Sequence, residues 1–448
     1  MALTGLQIYK MLPGTNCREC GFPTCLAFAM KLAVKQAELA ACPYVSEESK
    51  AQLAAASAPP IRLVAIGGDT RKIEVGNETV LFRHEKTFYH PPGLMVRVKD
   101  TQPVEEVKAI AAAVDGYSVE YVGLNLRLDG LAIESASGDG SAFADCVAAV
   151  RAETDLPLIL MSQDPEIMEA GLQKTDGLTP LIYSANANNW QAMAELAQKH
   201  KVPLAVHTAE GLESLATLTE QIKEDGVEDL VLDPGTRDFQ DSLAALTQIR
   251  RLALKKNFRP LGYPIITFPG EGASSPSEES LLAAQHISKY SGFVVLDHFN
   301  PATVYPLLVL RQNIFTDPQK PIQVQPGIYE INNPQPDSPV LVTTNFSITY
   351  FSVANEVEGS GNPAWLLIAD AEGMSVLTAW AAGKFDAEKI AKSVNSTGLT
   401  DKISHQKIVI PGHVAVLSGE LEEELPGWEI LVGPREAVDL PAFLKLWK

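Results

Sequence analysis

Short apolar runs alternate with stretches of helical periodicity from about residue 61 to residue 325. The runs that favour strands are residues 61–66, 95–98, 130–133, 158–161, 181–183, 204–207, 230–233, 265–268 and 293–297. Helical patterns, such as those over residues 187–199 and 240–256, separate them. Because the runs are apolar throughout, we expect both faces of the sheet to be buried, as in parallel sheets covered by helices. The pattern therefore predicts a (β/α)8 TIM barrel.

A second and smaller set of strand–loop–helix units follows a proline-rich stretch over residues 318–339. The predicted strands are residues 340–346, 365–370, 407–410 and 428–432. They indicate a doubly wound, Rossmann-like α/β domain, in which ligands bind at the carboxyl ends of the strands. These ends are rich in Thr, Asn, Asp and Gly, which suit either a ligand or a tight turn. The pattern alone leaves both interpretations open.

The first 58 residues follow neither pattern and predict a small helical domain. One helix with an apolar stripe begins after Thr24, which is suited to an N-cap, and a second short helix starts near Ser46. Pro59-Pro60 then forbids helix and stiffens the connection. The sequence thus predicts three domains, over residues 1–58, 61–325 and 326–448.

Four of the five cysteines lie in the helical segment, with the spacing C-x2-C-x4-C-x16-C. They are Cys17, Cys20, Cys25 and Cys42. Thiolates suit iron–sulfur clusters or zinc, but zinc sites more often pair two CxxC knuckles, and this chain has one. Turn residues between the first three let their sulfurs converge, and Cys25 begins a helix whose dipole favours a thiolate. The prediction is a [4Fe–4S] cluster, with zinc as the alternative, whereas the isolated Cys146 is predicted to be a small buried residue.

Charge and composition narrow the classes of partner. The 36 basic and 55 acidic residues give a formal net charge of −19, which disfavours nucleic acid and anionic lipid. Apolar residues make up 46% of the chain, as in ordinary globular proteins. The sequence contains neither an apolar run of transmembrane length nor a secretory signal pattern at Met1–Gly5, so we expect a cytoplasmic protein without a membrane partner.

The predicted barrel strands end in polar residues, where barrel active sites lie. These residues are His207, Asp233-Pro234-Gly235, Pro269-Gly270-Glu271-Gly272 and Asp297-His298. The string Leu232–Gly235 resembles a strand end of pterin-binding barrels such as dihydropteroate synthases and methyltetrahydrofolate methyltransferases, but their Gly-Phe-x-Lys continuation is absent. Pterin chemistry and a scaffold or docking role both stay open for this barrel.

Several strings together resemble one family over the whole chain. They are Cys17–Cys25, Cys42–Tyr44, Thr343–Ser347, Ser375–Trp380, Glu422–Trp428 and Val432–Glu436. These strings are similar to the large subunits of corrinoid iron–sulfur proteins, which carry methyl groups in the acetyl-CoA (Wood–Ljungdahl) pathway. The order of cluster, barrel and corrinoid-binding domain is also that of the family.

The resemblance implies that the C-terminal domain holds a corrinoid. It also implies that the protein is a methyl carrier rather than a stand-alone catalyst. The implied partners are a smaller shielding subunit, a methyltransferase that delivers methyl from methyltetrahydrofolate, acetyl-CoA synthase/CO dehydrogenase as acceptor, and a reductive activator. None of the eight histidines stands in a D-x-H-x-x-G motif, so we expect a base-off corrinoid without a histidine ligand. The cluster would then return Co(II) to the reactive Co(I).

The resemblance also assigns the corrinoid-binding positions. They are Val340, Thr343, Thr344, Asn345, Phe346, Asp370, Ala371, Glu372, Gly373, Thr378, Gly433 and Pro434, with Thr378 expected at the lower side of cobalt. Two other functions remain as alternatives. The barrel itself could bind a pterin and methylate cobalt, or the chain could be a plain iron–sulfur electron-transfer subunit.

Overall fold

The computed structural model describes residues 5–33, 37, 39–46, 49, 50, 53, 59–121, 124–317 and 322–447. The chain divides into two compact units. The first comprises Met1–Leu81, Tyr89–Gly116 and Leu128–Leu307, and the second comprises Phe82–Phe88, Tyr117–Arg127 and Leu308–Lys448. The finer division into three domains stays a prediction. Most of the short helix predicted after Ser46 lies outside the described residues, as do Pro318 and Pro321.

The elements of the described residues are as follows. The strands are β1 (Val64–Gly67), β2 (Lys72–Val75), β3 (Gly93–Lys99), β4 (Ser118–Tyr121), β5 (Leu124–Arg127), β6 (Gly130–Glu134), β7 (Leu158–Met161), β8 (Leu181–Ala185), β9 (Leu204–His207), β10 (Leu230–Asp233), β11 (Ile266–Thr267), β12 (Phe293–Leu296), β13 (Gly327–Ile331), β14 (Val340–Thr344), β15 (Ala364–Ala369), β16 (Lys407–Ile410) and β17 (Glu429–Val432). The helices are α1 (Gly5–Tyr9), α2 (Cys25–Ala33), α3 (Val104–Gly116), α4 (Gly140–Glu153), α5 (Pro165–Leu172), α6 (Trp190–His200), α7 (Leu212–Glu224), α8 (Phe239–Lys256), α9 (Pro276–Ser288), α10 (Pro301–Phe315), α11 (Ser347–Ser360), α12 (Val376–Ala381), α13 (Ala387–Ser396), α14 (Ser418–Glu424) and α15 (Leu440–Leu444). None of these helices is long and apolar enough to cross a membrane.

The N-terminal segment packs α1 and α2 around a small apolar core. This core contains Ile8, Leu12, Phe28, Ala29 and Val45, with Cys25 and Cys42 buried among them. Helix α2 begins where the sequence predicts, because the hydroxyl of Thr24 accepts the Ala27 N–H at 3.1 Å. The helix places Cys25 at its first position.

Eight parallel strands of the first unit confirm the predicted TIM barrel. Their order is β10-β9-β8-β7-β6-β3-β12-β11, so each strand neighbours the next barrel strand in the chain and β12 returns to β3. A parallel bridge between Leu232 and Ile265 joins the two ends of this sheet. Side chains such as Met95, Ile159 and Val295 fill the interior.

One of the nine predicted runs, residues 61–66, was wrongly grouped with the barrel strands. Strand β1 instead pairs antiparallel with β2. Val64 and Ile73 of this hairpin join the apolar interior of the barrel, and Ile73 lies against Gly93 at the start of β3. The hairpin therefore covers the amino-terminal end of the barrel. Three of the four residues of β1 are buried, as in a barrel strand, which is why hydropathy does not separate β1 from the barrel strands.

The second unit contains a five-stranded sheet in the order β13-β15-β14-β16-β17. Strands β14 to β17 are parallel, and β13 is an antiparallel edge strand. Apolar clusters cover the sheet, one around Leu367 and Ile390 and the other around Leu366 and Val357. This is the doubly wound topology that the sequence predicts, with one strand, β13, that the sequence analysis missed.

Candidate cofactor-binding sites

The order of the strands creates a switch point in the second unit. From β14 the chain moves to β15 on one side and then returns to β16 on the other. Helices that leave neighbouring strands in opposite directions open a crevice between them, where doubly wound folds bind ligands. Strands β14 and β16 pair through Leu341 and Val409, below this point. The switch point therefore lies between the carboxyl ends of β14 and β16.

A cavity of about 320 Å³ lies at this switch point. Its lining residues are Leu341, Val342, Thr343, Ile348, Thr349, Ser352, Val353, Ser375, Val376, Leu377, Val409, Ile410, Pro411, His413, Gly433, Pro434, Arg435, Glu436, Ala437 and Leu440. The volume lies in the range of small-molecule sites. Two of the lining side chains are apolar and exposed, Ile348 at 65% and Leu377 at 47%, so the cavity opens onto an apolar surface.

Thr343 gives this cavity a polar group that lacks a partner. Its side chain is 1% exposed, and its hydroxyl makes no hydrogen bond in the described part of the chain. A buried hydroxyl without a partner is unfavourable by about 1–3 kcal/mol. A ligand in the cavity could supply the missing partner, so the residues present fit a bound cofactor.

The corrinoid-binding positions assigned by resemblance fall into two groups. Thr343, Gly433 and Pro434 line the cavity. Thr378 is exposed and accepts a hydrogen bond from Ser375, which also lines the cavity, at 3.0 Å. The other assigned residues do not line it, and Val340 lies in the apolar core. Contact between these residues and a corrinoid stays a prediction.

Asn345 organises the loop that follows β15. Its Oδ1 accepts the N–H groups of Ala371 and Gly373, both at 2.9 Å. Its Nδ2 donates to Oδ1 of Asp370 at 3.0 Å. The loop needs this support because Glu372 and Gly373 have left-handed backbone conformations, with φ of 53° and 72°. The structure thus brings the assigned residues Asn345, Asp370, Ala371, Glu372 and Gly373 together in one hydrogen-bonded network.

The predicted positions do not include the three residues with ionisable side chains that line the cavity, namely His413, Arg435 and Glu436. The Nε2 of His413 lies 3.6 Å from Oε1 of Glu436. A signal was present in the turns Pro411-Gly412 and Gly433-Pro434, which pack directly on each other. A Cβ on Gly412 would meet the carbonyl oxygen of Gly433 at 2.6 Å. The close approach of these turns brings His413 and Arg435 to the same cavity.

The cysteines form the second candidate site. Cys25 and Cys42 are buried, Cys20 is partly buried and packs against the same apolar core, and Cys17 is exposed. The hydroxyl of Tyr44 donates to Oε1 of Glu19 at 2.8 Å. This hydrogen bond and the charge of Glu19 raise the pKa of Tyr44. Four thiolate donors are the ligand set of an iron–sulfur cluster, so the residue types present fit such a cluster.

In the described ranges, no three His, Cys, Asp or Glu side chains are grouped so that they could bind a metal ion.

The polar residues at the barrel's carboxyl end pair with one another. Asp233 is fully buried and accepts hydrogen bonds from the hydroxyl of Tyr183 at 2.7 Å and from Arg237 at 2.9 Å, with Nδ1 of His207 at 3.0 Å. Burial alone would raise the pKa of Asp233, but the hydrogen bonds from His207 and Arg237 outweigh it and hold the pKa well below its usual range.

A second cation, Arg97, extends this network around the barrel end. Arg97 pairs with Glu271 at 2.8 Å and with Asp297 at 2.6 Å, and Glu271 also binds Arg237. Nδ1 of His298, the remaining histidine predicted here, lies 2.7 Å from Oε2 of Glu279, and Oε1 of Glu279 accepts the N–H of Asp297. Each acidic residue predicted at these strand ends, Asp233, Glu271 and Asp297, is therefore paired with an arginine.

Comparisons with known proteins agree over the full chain. The family model of the CO dehydrogenase/acetyl-CoA synthase delta subunit matches residues 63–444, and an Fe-S cluster family model matches residues 12–44. The corrinoid/iron-sulfur protein large subunit of Moorella thermoacetica is 47% identical over 99% of this chain and 99% of its own. The acetyl-CoA decarbonylase/synthase complex subunit gamma of Methanopyrus kandleri is 36% identical over 99% of this chain and 97% of its own. Among solved structures, dihydropteroate synthase from Xanthomonas albilineans in complex with 7,8-dihydropteroate aligns with a TM-score of 0.36 and 18% identity, over 51% of this chain and 95% of that one.

Proposed function

Because the chain belongs to the family of corrinoid/iron–sulfur protein large subunits, we propose that it holds a corrinoid at the carboxyl ends of β14, β16 and β17 and carries methyl groups on its cobalt. The observation that carries this proposal is the cavity at the switch point, with the unpartnered hydroxyl of Thr343 in its wall. When bound, the cobalt supplies the nucleophile that takes up and releases methyl, and a [4Fe–4S] cluster supplies single electrons that return Co(II) to Co(I).

The residues of this chain bind and orient the corrinoid. Thr343 offers its hydroxyl to the part of the ligand that enters the cavity, and Arg435 and His413 offer donors at its edge. Ile348 and Leu377 provide the exposed apolar surface on which a large ring can lie. Asn345 holds the loop from Asp370 to Gly373 in place beside them.

The proposed corrinoid is base-off, with no protein histidine on cobalt. His413 is the histidine nearest in the chain to the turn after β16, and it faces Glu436 at 3.6 Å. Thr378, one turn along α12 from the cavity residue Ser375, is proposed at the lower side of cobalt. A weak neutral group there would leave cobalt without a strong axial donor, which favours the low-valent state that a methyl acceptor needs.

Cys17, Cys20, Cys25 and Cys42 are the proposed ligands of the cluster. The relatives are named as a large subunit and as subunits of an acetyl-CoA decarbonylase/synthase complex. We extend this to the present chain and propose a smaller subunit, a methyltetrahydrofolate methyltransferase, acetyl-CoA synthase/CO dehydrogenase and a reductive activator as its partners.

An anaerobic absorption spectrum with iron and cobalt analysis tests the proposal on full-length chain produced with its smaller subunit and with corrinoid available. About four irons and one cobalt per chain, with corrinoid bands that change to those of Co(I) on reduction, are expected. Iron without cobalt would leave only an electron-transfer subunit. Methyl transfer from methyltetrahydrofolate without added methyltransferase would instead favour catalysis by the barrel.

A pair of variants ties the corrinoid to the cavity. Thr343→Val keeps the shape of the side chain and removes the hydroxyl, so we expect corrinoid affinity to fall about two- to tenfold, the range for one hydrogen bond. Ser242→Ala is the matched control, because Ser242 is also buried with an unpartnered hydroxyl but lies on α8 of the first unit. Equal corrinoid affinity in both variants would refute the role of Thr343.

A further inference from the structure

Two residues of the cysteine loop connect it to the segments that carry the other cysteines. Asn16 precedes Cys17, and Glu19 lies between Cys17 and Cys20. Asn16 bonds to Cys25, nine residues along the chain, and Glu19 bonds to Tyr44, 25 residues along the chain. These contacts join three segments that also share the apolar core of the N-terminal segment.

Asn16 and Cys25 exchange two hydrogen bonds. The N–H of Cys25 donates to Oδ1 of Asn16 at 2.8 Å, and the N–H of Asn16 donates to Sγ of Cys25 at 3.4 Å. The first bond satisfies a free N–H at the start of α2. The second needs the left-handed backbone of Asn16, with φ of 51°, a conformation in which asparagine is favoured. Asn16 therefore fixes the position of Cys25 and places a donor on its sulfur.

Glu19 adds a negative charge to the segment that carries the first two cysteines. Its carboxylate lies two residues from Cys17 and one from Cys20, and its partner Tyr44 lies two residues from Cys42. Hydrogen bonds to the sulfurs and the net charge around a cluster are general determinants of its reduction potential. A donor on a sulfur favours the reduced cluster, because reduction adds negative charge, whereas a neighbouring carboxylate disfavours it.

We propose that Asn16 and Glu19 are positioning residues of the cysteine site, which hold its segments together and shift the reduction potential of the cluster in opposite directions. This inference rests on the proposed iron–sulfur cluster. Asn16 raises the potential through its N–H, and Glu19 lowers it through its charge. The low potential that Co(II) reduction requires would then depend on Glu19 as well as on the four cysteines.

The test is an anaerobic redox titration of the full-length chain, followed by electron paramagnetic resonance, together with iron analysis. Glu19→Gln keeps an acceptor for Tyr44 and removes the charge, so the midpoint potential should rise. Asn16→Asp keeps the acceptor for the Cys25 N–H and adds a charge, so the midpoint should fall. Glu153→Gln removes an exposed charge at the end of α4 and should leave the midpoint unchanged. The difference in midpoint potential between Glu19→Gln and wild type should become smaller as the salt concentration is raised, because the Glu19 carboxylate is exposed.

Two further variants test the connections themselves. Tyr44→Phe removes the hydrogen bond to Glu19 and keeps the ring. Asn16→Gly removes the hydrogen bond from the Cys25 N–H and allows the left-handed backbone. We expect them to lose iron to a chelator about two- to tenfold faster, the range for one hydrogen bond. Wild-type midpoints in Glu19→Gln and Asn16→Asp with normal iron content would overturn the inference but not the cluster. Wild-type chain without iron would overturn both.

Discussion

Replacing Asn345 by alanine should destabilise the second unit, because its side chain makes three hydrogen bonds with the loop after β15. Asn345 is 1% exposed, and Ala371, one of the two residues whose N–H groups it accepts, is fully buried. The variant leaves these two N–H groups without a partner. At about 1–3 kcal/mol for each buried group left unsatisfied, the free energy of unfolding should fall by about 2–6 kcal/mol. That is a large share of the 5–15 kcal/mol typical of a folded domain.

Tryptophan fluorescence during urea unfolding measures this change selectively. Four of the five tryptophans, at positions 365, 380, 428 and 447, lie in the second unit. Hydrogen exchange adds a local measurement, since the amides of Ala371 and Gly373, in the loop after β15, should lose protection in Asn345→Ala before the amides of β15 do. Asn395→Ala, at an exposed position of α13, is the matched control and should change stability by less than about 0.5 kcal/mol.

A loss below about 1 kcal/mol in Asn345→Ala, with both amides still protected, would refute this account of the loop.

Two other predictions concern buried titratable groups of the first unit. Burial, with a smaller contribution from Arg237, lowers the pKa of His286 to about 4, and both ring nitrogens lack partners in the described structure. Because the unfolded chain binds this proton near pH 6.5, folded stability should fall by about 3 kcal/mol as pH drops from 6.5 to 4, and His286→Leu should remove that slope. Urea midpoints at pH 7.5 and pH 5 test this, and parallel pH slopes for variant and wild type would contradict it. Burial, with the charge of Asp100, also raises the pKa of Cys146 to about 11, so this thiol should resist iodoacetamide in native protein, and rapid labelling detected by mass spectrometry would disprove the prediction.

The barrel was predictable from sequence because each of its strands is a continuous apolar run between helices. The strands Leu158–Met161 and Phe293–Leu296, for example, are buried at every position. A continuous apolar run was misleading at Val64–Gly67. This strand belongs to a hairpin, and its Val64 and Ile66 side chains pack against the barrel interior. It also missed Gly327–Ile331, an edge strand that is mostly only partly buried and lies among prolines.

The candidate sites were predictable only as far as local sequence determines them. Cysteine spacing identified the four thiols, and family strings identified Thr343 and Gly433. The roles of Asn345 and Asn16 depend on contacts with residues 26 and nine positions away, which no local pattern contains. His413 and Arg435 reach the cavity only because two turns pack on each other around Gly412.

The strand ends of the barrel and those of the second unit differ in the buried polar groups that they offer to a ligand. At the barrel end, Arg97 and Arg237 pair with Asp233, Glu271 and Asp297, and because Arg97 and Asp233 are buried, a ligand of either side chain would compete with an existing ion pair. Breaking a buried pair by removing one partner typically costs about 3–5 kcal/mol. At the end of β14 the hydroxyl of Thr343 is buried without a partner in the described part of the chain and lies in the wall of an open cavity, so a ligand that reaches it gains a hydrogen bond. The open cavity at the end of β14 and the paired charges at the barrel end therefore support the proposal that the second unit holds the cofactor.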